Sequence, residues 1–565
     1  MPDPLRRALM SLVGITVFAA ACAPQSAPSA QETSATSAPA KATELHIGLW
    51  TPLTLFGPRM VGARGAEVMN AGLVNTDERW TIQPYLAERV PSQDDGTWVI
   101  RPDGTMQTTW TLRADAKWHD GAPVTAHDVE FAYHLYRDKD FQIDTDLPER
   151  YITGVVARDD RTFDVSWDRP YVQAGQPDPR DLTPLPSHVL EPLYEGGDKQ
   201  VFSNNSFWRT EEYIGAGPYR VVRNDPGERV RVAANPSFFL GKPKIDFIDF
   251  VIIQDRNALV ARMLSGDLDY TEHTDIQAEH AAVLQEQWKA TGEGRILTAL
   301  WTPFPLRFQY KDVPNHTAAM KDLRVRQALV QAIDRDALAA SETAGLAPAA
   351  DSFVPPNHEL FPRIDAAIAK YPYDTRRAAQ LLQEAGWTRG GDGMLRNAGG
   401  EIFDIEVFST TAAARGGTIV ADFWKQAGME SRLFALTPAQ VDDFKLRANY
   451  PGVDVSSRGQ GEGELYASYS TPEIASEANQ WRGRNVTGWS DPEFDALFAR
   501  YDRSLRPDER ADLVVQMERL MTVFLASGKL YYAARPAAIR NTVQGPRGFN
   551  TRSSNLFNIH EWTVQ

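Results

Sequence analysis

The chain has 565 residues, 42% of them hydrophobic and 10% aromatic, enough apolar surface for two to four domains of roughly 150 residues and too much for global disorder. Its 59 basic and 74 acidic residues leave a formal net charge of −15, the wrong sign for a nucleic-acid partner, which selects basic faces that neutralise phosphate. The acidity selects no ligand by itself and suits the solubility of an exported protein.

Arg6 and Arg7 precede an apolar run from Ala8 to Ala21, whose last residues Ala19, Ala20 and Ala21 lead into Cys22. A charged start, a short apolar run and a small-residue end make a secretory signal peptide, and the run is shorter than the roughly 20 residues of a spanning helix. Cys22 is the only cysteine, so no disulfide can form within the chain. Its position resembles the lipobox of bacterial lipoproteins, where the thiol takes up a diacylglycerol. Two acyl chains anchor stably where one is marginal. A small buried cysteine in an ordinary signal peptide is the plainer alternative. "RRALM" loosely fits a twin-arginine signal, although Leu5 departs from the polar residue usual there, so the export route stays open. Ala23 to Ala42 is mainly Ala, Ser, Thr, Pro and Gln, a flexible tether that cannot form a core.

"TELHIGLW" (Thr43 to Trp50) alternates apolar and polar residues and predicts a strand. "MQTTWTLRADAKWHDGAPVTAHDVEFAYHLYRD" predicts a strand, a turn at Asp120-Gly121, and a helix capped by Thr125 and Asp128 with Val129, Ala132, Tyr133 and Tyr136 on one face. Three strands follow in "YIGAGPYRVVRNDPGERVRVAANPSFFLGKPKIDFIDFVII", the first two joined by a turn at Asp225-Pro226-Gly227. "DRNALVARMLSGDLDY" is a helix with Leu259 and Met263 inward and Gly266 as its stop; "RILTALW" alternates again. In the second half, Asp322 and Asp374 cap helices that bury Val325, Leu329 and Ile333, and Leu381 and Ala385, the latter stopping at Gly386. "DGMLRNAGGEIFDIEVF" predicts a hairpin, "TIVADFWKQAG" a helix and "ESRLFAL" a strand. "SDPEFDALFARY" predicts a helix with a Ser490/Glu493 capping box and Phe494, Leu497 and Tyr501 inward. Strands alternating with helices in both halves predict α/β or α+β lobes, with no solenoid repeat.

Taken in order, "TWTLRADAKWHDGAPVTAHDVEFAY", "GAGPYRVV", "ANPSFFLGKPKIDFIDFVII", "MLSGDLDY", "DLRVRQALVQAIDRDAL", "RRAAQLLQEAGW" and "WSDPEFDALF" resemble the family 5 solute-binding proteins of peptide-type ABC importers. The resemblance covers essentially the whole chain after the tether. It implies an α/β fold of the large type II periplasmic-binding-protein kind, two lobes joined by two crossing strands with an extra domain inserted in lobe I. Lobe I would comprise 43–58, 195–300 and 530–565, the inserted domain 59–194, and lobe II 301–529. It further implies a small-molecule or peptide ligand held between the lobes, ABC permease subunits as partners, and a monomer without cofactor or bond chemistry. With Cys22, the expected location is the outer face of the cytoplasmic membrane, lipid-anchored. Two other readings compete: a secreted hydrolase on a similar scaffold, and a surface protein that binds polypeptide without transport.

The segment "SSRGQGEGELY" (Ser456 to Tyr466) falls where the family's cleft is expected. Peptide-binding members pair a nearby aspartate with the peptide amino terminus; this chain lacks that pattern, and Glu462 or Glu464 could take the role, since either carboxylate can pair a buried ammonium. The glycine spacing matches neither a dinucleotide fingerprint nor a P-loop. Two acids so close in one loop rarely flank a bond from opposite sides, as a glycosidase pair must. G-x-S-x-G and H-E-x-x-H are missing, so no catalytic residue is assigned. Trp50, Trp301, Tyr466 and Trp481 are candidate aromatic contacts, and Arg458 and Arg482 candidate clamps for a carboxylate. His127 with His134, and His273 with His280, share helix faces but lie two turns apart, too far for one ion, so no metal is assigned.

Overall fold

The computed structural model describes residues 42–53, 65–79, 81–138, 151–175, 182–208, 210–314, 318–456, 462–549 and 555–565, with only the backbone at Ala66 and at 462–464. The signal peptide, Cys22 and the tether lie outside these residues.

Glu44–Leu49 lies at the centre of one half of a ten-stranded sheet. It runs parallel to Phe247–Ile252 on one side and Tyr270–Thr271 on the other. Phe247–Ile252 continues antiparallel into Arg229–Ala234 and then Tyr219–Asp225. Beyond Tyr270–Thr271 come Ser527–Arg540 and Gly294–Phe308, and then Val453–Asp454, Asp404–Thr410 and Glu430–Leu436. Side chains alternate across the sheet. Leu45, Ile47 and Leu49 enter a first core with Trp208, Tyr219, Phe250 and Trp562. Gly48 faces the other way, onto Leu259 and Leu268, where helices Arg256–Ser265 and Ala278–Thr291 pack.

A second core joins Leu306, Leu329, Leu381, Val407, Trp424 and Leu530. A third lies between helix Ala126–Arg137 and a four-stranded sheet containing Met106–Thr111 and Thr162–Trp167. A fourth joins helices Pro492–Arg503 and Pro507–Val523 through Phe494, Leu513 and Met517. Side chains enclosed as fully as Phe163 or Leu329 contribute roughly 1.5–3 kcal/mol each.

Backbone contacts join the third core to the first. Gly215 and Gly217 lie so close to the chain at Met69 that a Cβ would meet its carbonyl oxygen at 1.9 Å and its carbonyl carbon at 2.3 Å, respectively. His119 spans the same segment: its Nδ1 accepts from the Gly215 N–H at 3.1 Å and its Nε2 donates to the Gly217 carbonyl at 3.1 Å.

The anticipated elements form with some corrections. Asp128 closes the start of its helix, accepting the Thr125 N–H at 2.7 Å, and also accepts from Ser187 and Trp118. Asp322 and Asp374 cap as anticipated, Asp255 caps the helix Arg256–Ser265, and Gly266 ends that helix in the left-handed region. The cap before Pro492 is Asp491, which accepts from the Phe494 N–H at 2.8 Å, rather than Ser490. Proline at the first helical position needs no partner for a missing N–H, which moves the cap to the residue just before it; Ser490 pairs with Thr471 instead. The hairpin expected from Asp392 to Phe408 is reduced to an antiparallel bridge at Arg396 and Ile402, and Leu395–Arg396 also pairs with Thr388–Arg389 on its other side. Asp404–Thr410 joins the main sheet parallel to Glu430–Leu436. Ala385 is only partly buried. Among the described residues no helix is long and apolar enough to cross a membrane.

Candidate ligand site at the crossing strands

Two long antiparallel strands, Gly294–Phe308 and Ser527–Arg540, pass from the first core into the second. "RILTALW" is therefore the first half of a longer strand. Their register runs regularly from Gly294↔Arg540 to Trp301↔Ala533, then shifts between Trp301 and Pro303 and again between Pro303 and Pro305. Proline has no N–H to give to a ladder, so the pairing is weakest between the two cores. Leu300, Ala534 and Tyr532 pack against Ala347 and Ala350, whereas Ala299 and Trp301 face the first core.

On that face the Arg535 guanidinium lies 4.8 Å from the centre of the Trp301 ring. The His273 ring is 5.5 Å from Trp301 and 5.0 Å from Phe549. Both Arg535 Nε and Trp301 Nε1 are buried and have no hydrogen-bond partner among the described residues. Burial pushes the Arg535 pKa down, with no neighbouring carboxylate opposing it. Nearer the second core, Phe304 stacks on Tyr531 at 4.8 Å, and the Tyr531 hydroxyl donates to Glu342 at 3.3 Å. Burial raises the Glu342 pKa against the opposing pull of Arg415, whose Nε lies 3.2 Å away.

The residues singled out from sequence disperse. Trp301 stands at the crossing, but Trp50 packs with the helices on the opposite face, its ring under the Arg256 guanidinium at 3.5 Å and its backbone N–H donating to Asp275 at 2.6 Å. Tyr466 is fully buried in the helical fourth core and donates its hydroxyl to Glu518 at 3.1 Å. In this conformation it has no surface for a ligand. Trp481, at φ 62°, lies 5.7 Å from both the Lys311 and Lys445 ammonium groups. Arg482 stacks over Phe444 at 4.9 Å. Burial takes Lys311 down to about 8, and its ammonium donates to the Ala448 carbonyl. Arg458 lies outside the described residues. Positions 462 and 464 belong to helix Glu462–Ala467, not to an extended loop; residues two apart on a helix lie about 200° apart around its axis.

The paired histidines also separate: His127 bonds Glu191 at 2.9 Å, and His280 accepts the Gln277 N–H at its helix start. Among the described residues no three His, Cys, Asp or Glu side chains are placed to hold a metal ion. Arg535 escaped the sequence reading, although a single charge inside the otherwise apolar run from Leu530 to Ile539 was a signal.

Comparison with known proteins decides the family. The model of the bacterial extracellular solute-binding proteins, family 5, matches residues 81–480. The chain belongs to this family. The oligopeptide-binding protein AppA of Bacillus subtilis is 25% identical over 400 residues, 69% of this chain and 68% of that protein. A putative ABC transporter peptide-binding protein of Brucella ovis is 29% identical over 324 residues, 56% of each chain. Among solved structures, the oligopeptide-binding protein of Thermus thermophilus in complex with a pentapeptide superposes with a TM-score of 0.65 at 22% identity, covering 92% of this chain and 96% of that one. NikZ of Campylobacter jejuni in complex with Ni(L-His) gives 0.66 at 20%, covering 92% and 99%. The family 5 protein thus has the two-lobe α/β fold of these binding proteins, and the crossing strands are where its two larger cores join.

Proposed function

We propose that this protein is the lipid-anchored receptor of an ABC importer and that its solute is a peptide, held between lobes that close by bending at the crossing strands. The observation that carries this reading is the double register shift at Trp301–Pro305 between two separately packed cores. Two rigid bodies joined by weakly paired strands have open and closed states, and a ligand touching both favours closure by its differential affinity. Peptide is favoured because several relatives, among them AppA of Bacillus subtilis matched over 69% of this chain, are named as peptide-binding.

In this proposal 59–194 is the inserted domain, 43–58, 195–300 and 530–565 form lobe I, and 301–529 forms lobe II. Cys22 carries the anchor, and Glu462 or Glu464 pairs an amine of the ligand. The partner subunits hydrolyse ATP; this chain performs no bond chemistry. The test is mass spectrometry of solutes extracted from the protein purified from its native host, with uptake of the identified solute measured in a strain lacking the gene. Peptides in the extract, and uptake lost without the gene, support the reading. Steady turnover of the solute by the purified protein would instead make it a hydrolase. Cys22→Ser should move the protein to the soluble fraction or leave it unprocessed.

A further inference from the structure

We propose that Leu505 is a latch that docks the tip of a helical hairpin onto the third core and biases the two lobes toward closure before any solute is bound. That the lobes open and close rests on the receptor reading above; the contact itself does not depend on where the solute sits. Leu505 lies between helices Pro492–Arg503 and Pro507–Val523, whose inward side chains help build the fourth core. Leu505 does not join that core. It packs instead against the third, whose other members lie between Ala71 and Phe239. Asp502, just before Leu505, supplies a second link. The Arg169 guanidinium, 4.4 Å from the centre of the Tyr151 ring on the third core, is held in its charged form first by Asp168 and also by Asp502. Asp502 is exposed, so its attraction is screened and contributes little beside the apolar contact.

The four cores form two bodies. The third is tied to the first by the close backbone contacts at Gly215 and Gly217. The fourth is tied to the second through Tyr310, which packs against both and donates its hydroxyl to the Leu525 carbonyl at 2.6 Å. The crossing strands join the bodies, with their pairing shifted at Trp301–Pro305. Leu505 bridges them again, at a contact that bending of those strands must break. The tip that carries it is stiff. Ser504 donates to Glu509 at 2.9 Å, and Arg510 lies 3.7 Å over the Tyr501 ring and bonds the Tyr501 and Ser504 carbonyls. A stiff tip ending in one partly buried leucine makes a reversible clasp. Burying about half a leucine side chain shifts a closed-to-open ratio roughly four- to twelvefold, enough to bias the lobes and too little to lock them. Since apparent affinity scales with the fraction of protein in the binding-competent state, Leu505 tunes the affinity for solute without touching it.

The experiment compares mature full-length wild type, Leu505→Asp, Leu505→Ala and Leu505→Met, each freed of co-purified solute by unfolding in guanidinium and refolding. Small-angle X-ray scattering reads the closed fraction, and amide hydrogen exchange reads the surfaces around Leu505 and the third core. Leu505→Asp and Leu505→Ala should both expand, the closed-to-open ratio falling about four- to twelvefold, with the urea midpoint near that of wild type. Leu505→Met, similar in volume, should scatter like wild type. Identical scattering in all four proteins overturns the latch. Faster exchange around the contact without expansion also overturns it, because Leu505 is then a static contact. Should Leu505→Asp fail to fold, Leu505→Ala decides on the same readings. A second arm offers a random tripeptide pool and reads retention by mass spectrometry. Retention that falls in step with the closed fraction supports the tuning of affinity, and full retention by an expanded variant overturns it. If wild type retains no peptide while the solute-free variants still expand, the latch stands and the peptide reading falls.

Discussion

His119 shows how a side chain between two sheets acquires a pH dependence. Burial takes its pKa from 6.5 down to about 4, although its hydrogen bond to the Gly217 carbonyl opposes the shift. Protonation would also place a proton on Nδ1 against the Gly215 N–H. A depressed folded-state pKa means the contribution is complete above pH 6.5 and is lost as pH falls towards 4. The loss should be at most about 3 kcal/mol. Urea titrations of wild type and His119→Gln across that window check it, and the difference between them should shrink as pH falls. Gly217→Ala is a harsher change. Its Cβ would sit 2.3 Å from the Met69 carbonyl carbon and 2.5 Å from the Asn70 nitrogen, both backbone atoms that cannot rotate away. We expect a loss of about 1–3 kcal/mol, the usual range for overpacking, measured as a lowered urea midpoint.

Among elements, the helix Pro492–Arg503 separates two capping arrangements. If Asp491 is the cap, Asp491→Ala should cost about 0.5–2 kcal/mol, whereas Ser490→Ala should stay within about 0.5 kcal/mol, as exposed sites do. Chemical denaturation of both variants decides it; equal losses would restore the Ser490/Glu493 box. Aspartate caps and the left-handed glycine at Gly266 were legible because each signal lies within a few residues of the element it bounds. The crossing strand was not legible past Trp301. Pro303 and Pro305 argue locally against a strand, and only the partner Ser527–Arg540 carries the ladder through them. The glycines of "GQGEG" similarly argued for a loop, yet a helix follows from Glu462.

At the scale of the whole molecule, ligand binding and closure are one equilibrium, so a cognate solute should stabilise the protein by about 2.7 kcal/mol at a hundredfold excess over Kd. Calorimetric Tm in the presence of the solute identified by mass spectrometry measures this, and an unchanged Tm at that excess would count against it. Reductant should leave the Tm of the monomer unchanged, because the chain has one cysteine.

The sequence alone determined the α/β class, the family and most of the helices and strands predicted from it, since periodicity, caps and turn residues act over about ten neighbouring positions. It did not determine which candidate residues share a site. Trp50 and Trp301 look equivalent in the chain, each aromatic and ending an alternating run, yet the sheet sends them to opposite faces. Tyr466 looks as available as either until the helices of the fourth core enclose it. Arg535 looks like an ordinary strand residue until folding places its guanidinium 4.8 Å from the centre of the Trp301 ring, with its Nε buried. Burial and charge pairing are properties of neighbours in space, and here those neighbours come from segments hundreds of residues apart; only the tertiary structure decides which donors are left without an acceptor.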